Sequence, residues 1–120
     1  MLIKREHACA QFTANDGCRI RELLHPKNDD IAAGFSLAVA EVAAGGRTYR
    51  HRLQQIEAYY ILEGTGMAWI AGECAPVARG DVVFIPAGDE QWIENTGEGT
   101  LKFAAIVAPP WRAEDDERLD

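Results

Sequence analysis

Apolar positions in this chain repeat at the spacing of β-strands, not of helices. From Phe35 to Val42 the run FSLAVAEV is small and apolar throughout, which suits a strand covered on both faces. Short strands are predicted to follow at close intervals: 47–53, 57–63, 67–71, 74–78, 81–85, 90–95 and 100–107. The breaks between them read EGTG, AGE, ARGD, IPAGD and NTGEG, all of them turn chemistry. Upstream, residues 18–24 (CRIRELL) form a further short strand that stops at His25-Pro26, because proline cannot donate to a ladder. Residues 1–17 read as irregular and close on the turn signal Asn15-Asp16-Gly17.

Within the segment 47–63 the alternation assigns faces. Tyr49, His51 and Leu53 point one way and Thr48, Arg50 and Arg52 the other. In the next strand Glu57, Tyr59 and Ile61 share a face, opposite Tyr60 and Leu62. No amphipathic helix of three turns is predicted, so the fold class is all-β. Eight or nine short strands at this spacing imply a sandwich or barrel of jelly-roll type. One domain is expected over residues 1–120: an N-terminal segment 1–17, a barrel over about 18–107, and an acidic tail 108–120. The tail, PPWRAEDDERLD, reads as a surface strap docked through Trp111, with its last residues disordered.

Charge then narrows the partners. With 12 basic and 19 acidic side chains the formal charge is −7, which repels a nucleic-acid backbone and an anionic membrane surface alike. The apolar runs fall far short of the roughly 18 to 20 residues of a membrane span, and MLIKREHACAQF lacks the apolar core of a signal peptide. A cytoplasmic location is expected. Cys9, Cys18 and Cys74 have no CxxC spacing and suggest neither a disulfide framework nor a zinc knuckle.

Two motifs carry the chemistry. Gly45, His51, Glu57 and Gly64 have the spacing G-x5-H-x-H-x3-E-x6-G, with Leu53 at the second histidine position. Gly80, Pro86, Gly88 and Asn95 have the spacing G-x5-P-x-G-x2-H-x3-N, with Gln91 at the histidine position. On these residues, which span 45–95, the chain resembles a small single-domain cupin, a jelly-roll β-barrel. Both departures fall on positions that in that family ligate metal.

The resemblance implies a barrel site for a divalent transition metal (Fe, Mn, Ni, Cu or Zn), built from two histidines at i and i+2, a glutamate and a third histidine across the barrel. Here it leaves His51 and Glu57, with Gln91 offering a neutral amide oxygen, while Leu53 can ligate nothing. Gln55, two residues past Leu53, and His25, at the end of an earlier strand, are candidates to complete the set. Each candidate also has a plainer reading. A lone inward histidine can simply hydrogen-bond Glu57 or Gln91, and His25-Pro26 can simply end a strand. Tyr59 could line a pocket with Phe84 or Phe103, with Trp69 and Trp92 as further candidates, although core packing would also explain them. Arg47, Arg50 and Arg52 could hold a substrate carboxylate or pair with surface acids.

Two functions follow. The first is a small-molecule-binding cupin that works as a metal-dependent enzyme of oxygenase, isomerase or lyase type, with Glu57 or Tyr59 moving a proton. The second is metal-free: a ligand-binding module, or a cyclase or isomerase using His51 and Glu57 as an acid–base pair. A purely structural role sits poorly with inward His, Glu and Gln side chains, which cost free energy to bury. The resemblance also implies a homodimer, with the apolar outer strands and the N-terminal segment as candidate interface.

Overall fold

A computed structural model describes residues 1–120. Eleven strands make up two antiparallel sheets. In chain order they are β1 (Gln11–Thr13), β2 (Arg19–Leu24), β3 (Ser36–Val42), β4 (His51–Leu53), β5 (Ile56–Glu63), β6 (Thr65–Ile70), β7 (Glu73–Ala78), β8 (Val82–Ile85), β9 (Glu90–Asn95), β10 (Leu101–Ala108) and β11 (Asp116–Arg118). One sheet has the order β1-β2-β3-β10-β5-β8 and the other β11-β4-β9-β6-β7. The only helical pieces are single 3-10 turns at Glu6–Ala8 and Ala113–Asp115. This is the jelly roll expected from the strand rhythm, and no helix is long and apolar enough to cross a membrane.

The sheets face one another through the alternating positions. Along β5, Glu57, Tyr59 and Ile61 are buried while Ile56 and Tyr60 are exposed, and along β9 the buried set is Gln91, Ile93 and Asn95. Ile61, Ile85, Ile93, Leu101 and Val42 fill the centre, each at 1% exposure or less. Burying side chains of this size contributes about 1.5–3 kcal/mol apiece, so the layer between the sheets dominates stability. Tyr59 and Phe103 meet with ring centroids 4.5 Å apart at the boundary between this apolar layer and the polar inward residues.

Turns fix which residues end up opposite. Gly64 has φ +86°, and a Cβ there would collide with the backbone carbonyl of Thr100, so only glycine lets β5 turn into β6 beside the start of β10. At the Pro86–Gly88 corner the Gly88 N–H donates to the Leu53 carbonyl at 2.8 Å, tying the start of β9 to β4. That tie places His51 directly opposite Gln91 in the ladder. At the far end of β9, Asn95 donates to the carbonyls of Val42 and Gly99 and accepts from the Gly97 N–H, closing the turn into β10.

Three features depart from the sequence expectation. Residues 11–13 form β1 on the edge of β2, within a segment expected to be irregular. The predicted strand 47–53 is paired as a strand only at 51–53, with a single bridge at Arg47. The tail does dock, but its last residues are ordered: Asp116–Arg118 adds β11 to the open edge of β4, so the barrel's edge is covered by a segment whose acidic composition suggested disorder.

Candidate functional site

The polar inward residues gather at one end of the barrel, where β4, β5 and β9 begin. His51 and Gln91 are register partners in one sheet, and Glu57 and Tyr59 come from β5 of the other. Gln91 is fully buried, Tyr59 is 4% exposed and Glu57 7% exposed. The Tyr59 hydroxyl donates to the Gln91 amide oxygen at 2.6 Å. Glu57 Oε1 and Gln91 Nε2 are each buried with no hydrogen-bond partner. Unpartnered buried polar atoms are uncommon and costly, and two of the four in this chain belong to this inward set.

Electrostatics set the protonation of these groups. Burial raises the Glu57 carboxyl from 4.5 to about 7, against the opposing pull of His51, Gln91 and Tyr59. For His51 burial acts to lower the pKa, but hydrogen bonding to Asp116 and the charges of Asp116, Glu57 and Asp16 outweigh it, so the net shift is upward. Burial, with the nearby carboxylates, holds Tyr59 well above the ordinary phenol range, so its hydroxyl stays protonated. Near neutral pH the site therefore contains an imidazole inclined to be charged beside a carboxyl poised to gain or lose a proton.

His25 and Gln55 lie elsewhere in the hydrogen-bond network. The Lys27 N–H donates to His25 Nδ1 at 3.1 Å, and His25 Nε2 donates to the Trp111 carbonyl at 2.8 Å, so both ring nitrogens are occupied by backbone. Gln55 Nε2 donates to Asp115 Oδ2 at 2.7 Å and to the Pro110 carbonyl at 3.3 Å. Even His51 binds the tail through one nitrogen, Nδ1 to Asp116 Oδ1 at 2.9 Å, leaving Nε2 free. The Trp111 indole N–H donates to the other oxygen of Asp116 at 3.1 Å, and the Trp111 backbone N–H to Ser36 Oγ at 2.9 Å. Thus three of the five side chains proposed as metal ligands hold down the C-terminal strap.

This donor set does not fit a resident transition metal. His51 Nε2 and the Glu57 carboxylate are the two good donors, Leu53 offers none, and the Gln91 oxygen already accepts from Tyr59. No group of three or more His, Cys, Asp or Glu side chains is placed to hold a metal ion.

Other candidate pocket residues are placed differently from the sequence reading. Phe84 is 59% exposed on the outer face, so of the two phenylalanines only Phe103 meets Tyr59. Trp69 and Trp92 stack on each other at 5.1 Å on the face opposite to inward-pointing Gln91 and Ile93, and do not line the barrel. Arg47, Arg50 and Arg52 pair with Asp120, Glu90 and Glu117 respectively, which is the surface reading. A cavity of about 680 Å³ is an open groove between the free edges of β7 and β8 and is lined by none of His51, Glu57, Tyr59 or Gln91. Sequence reasoning missed Asp116. Its one signal was a tryptophan in an otherwise acidic tail, a reason to expect that segment to pack.

Residues 38–107 match the family model of the cupin domain. The chain is a cupin. Over 123 aligned residues, 99% of this cupin and 96% of the relative, it is 39% identical to an uncharacterized protein of Methanocaldococcus jannaschii. A shorter match, 42% identical over 53 residues and covering 44% of each chain, is to an oxalate-binding protein of Thermotoga maritima. Among solved structures it resembles the polyketide cyclase RemF of Streptomyces resistomycificus, with a TM-score of 0.83 and 21% identity over 100% of this cupin and 86% of that chain, a likeness of fold.

Proposed function

We propose that this cupin binds a small organic molecule at the polar end of the barrel and moves protons on it with His51 and Glu57, without a metal. The observation that carries the reading is the buried Glu57 carboxyl, unpartnered at Oε1 and pushed up by burial to about 7 against the charge of His51. A catalytic acid–base group works best with a pKa near the working pH, and a buried carboxyl oxygen with no hydrogen bond costs free energy. His51 Nε2 gives or takes one proton and Glu57 the other. Tyr59, kept protonated, and Gln91 Nε2 supply hydrogen-bond donors for a ligand oxygen. The oxalate-binding relative and the polyketide cyclase fold suggest the substrate class, an oxygen-rich acid or ketone whose isomerisation or cyclisation needs paired proton transfers.

The test is calorimetric titration of chelator-treated protein with oxalate, other small dicarboxylates and phenolic polyketides, alongside elemental analysis of the protein as purified. Binding to the metal-free protein that is lost in His51→Ala and Glu57→Gln is expected. Binding that appears only after Fe, Mn, Ni, Cu or Zn is added would return the metal-dependent reading to first place.

The cupin is further proposed to pair with a second copy. Ile56, Tyr60, Val82, Phe84 and Ile106, on adjacent strands β5, β8 and β10, are all exposed. An apolar face of this kind is complementary to itself, as a two-fold interface requires. Sedimentation should show a dimer that Phe84→Glu converts to monomer, whereas a monomeric natural protein would refute the pairing. The three free cysteines suit the reducing cytoplasm.

A further inference from the structure

The acid–base reading leaves open what fixes the His51 ring, and the tail answers it. Asp116 begins β11, whose pairing with β4 sets Asp116 opposite Leu53 and Arg118 opposite His51. From there one carboxylate oxygen of Asp116 accepts from His51 Nδ1 at 2.9 Å, and the other accepts from the Trp111 indole at 3.1 Å. Trp111 is itself held by Ser36 and, through its carbonyl, by His25. The carboxylate thus has both oxygens bonded and cannot rotate away from the ring without breaking the strap.

We propose that Asp116 is the positioning residue of the site: it keeps the His51 proton on Nδ1, so that Nε2 is left to act either as a free base or as the acidic N–H of the imidazolium. This rests on the acid–base reading for its use, but the assignment itself is geometric. A carboxylate can only accept, which leaves no choice of tautomer at Nδ1. The same logic governs other histidines oriented by a carboxylate, where an amide in its place selects the wrong tautomer. The other groups that bear on the ring are Glu57 from β5, Asp16 from the turn before β2, Gln91 from β9 and Arg118 from β11. Arg118 lies over the Tyr49 ring at 3.6 Å, so Asp116 is the one of these charges in hydrogen-bond contact with His51.

The molecule contains its own reference. Lys27 N–H donates to His25 Nδ1, which forces the His25 proton onto Nε2, the opposite tautomer. Nitrogen-15 NMR of the histidine rings of the natural protein, assigned with His51→Asn, should show neutral His51 protonated at Nδ1 and His25 at Nε2. In Asp116→Asn, with the fold checked by circular dichroism, His51 should shift toward the Nε2–H tautomer and its titration midpoint should fall. Asp116→Glu should restore part of that fall. An Nε2–H tautomer for His51 in the natural protein overturns the proposal without any variant, as does an Asp116→Asn spectrum in which neither tautomer nor midpoint moves. Glu57→Gln separates the two readings. If it leaves the His51 midpoint unmoved while Asp116→Asn shifts it, the role of Asp116 stands and the His51–Glu57 pair fails.

Discussion

Glu57 and His51 come from opposite sheets, and each favours the charged form of the other while burial opposes both. For Glu57 burial wins. A carboxyl whose folded pKa is raised binds more protons folded than unfolded, so its contribution to stability falls as pH rises from 4.5 to about 7. That interval corresponds to up to about 3 kcal/mol. Glu57→Gln should therefore unfold like the natural protein at pH 4 and be more stable by as much as about 3 kcal/mol at pH 8, a figure that already includes the attraction to His51. Urea unfolding across pH checks this. A variant equally or less stable at pH 8 would mean that Glu57 is satisfied in a way the structure does not show. Stability gained together with lost ligand binding is the mark of a functional group.

Tyr59 links the polar pocket to the core. Tyr59→Phe keeps the packing against Phe103 but removes the donor to Gln91, leaving a fully buried amide oxygen unpaired as well as its nitrogen. A loss of about 1–3 kcal/mol is expected. Because Tyr59 also favours the charged form of Glu57, the Glu57 midpoint should move further up. Carbon-13 titration of the glutamate side chains reads the midpoint, and denaturation reads the loss. An unchanged Glu57 would detach Tyr59 from the acid–base pair.

The departures at Leu53 and Gln91 can be reversed. Leu53 is 1% exposed on the same alternation as His51, and Gln91 sits across the ladder from His51. Leu53→His with Gln91→His would give three imidazoles and a carboxylate around one point, a set that suits Zn, Ni or Fe. Calorimetry should show metal binding in the double variant at least about a hundredfold tighter than in the natural protein. No gain would mean that these side chains do not converge.

How much of this could be read in the chain depends on the distance over which a signal acts. Face assignment is local: the period-2 pattern put Glu57, Tyr59 and Ile61 inward, and the burial of β5 agrees. Glycine and proline spacing is local too, which is why Gly64 and the Pro86–Gly88 corner marked real turns. The partners of His25, Gln55 and His51 are not local. All three side chains bond to residues 110–116, and His25 lies 86 positions from Trp111. Nothing in the composition of PPWRAEDDERLD says which of its acids meets a histidine and which meets water. The outward stacking of Trp69 on Trp92 was hidden for the same reason, since alternation gives two faces but not which of them is covered.

The strap itself makes the final prediction. It contributes the Asp116–His51, Asp115–Gln55, Trp111–Ser36 and Trp111–His25 contacts and covers the edge of β4. Ending the chain after Pro110 would leave His51 and Ser36 without their partners and take one of two partners from Gln55 and His25, at a newly opened edge. At about 1 kcal/mol for each lost bond the truncated chain should be less stable by several kcal/mol. The loss should also depend on pH. Burial opposes the charge of Asp116, but His51 and Trp111 hold its pKa below the ordinary aspartate range, so its contribution is present above that range and fades as pH falls through the lowered value. In acid unfolding the gap between the full chain and the truncated chain should narrow at low pH and widen toward neutrality, without closing, because the Trp111 bonds and the edge coverage do not titrate. Parallel curves at all pH values would show that the strap acts by coverage alone and that Asp116 adds no charge-dependent hold on His51.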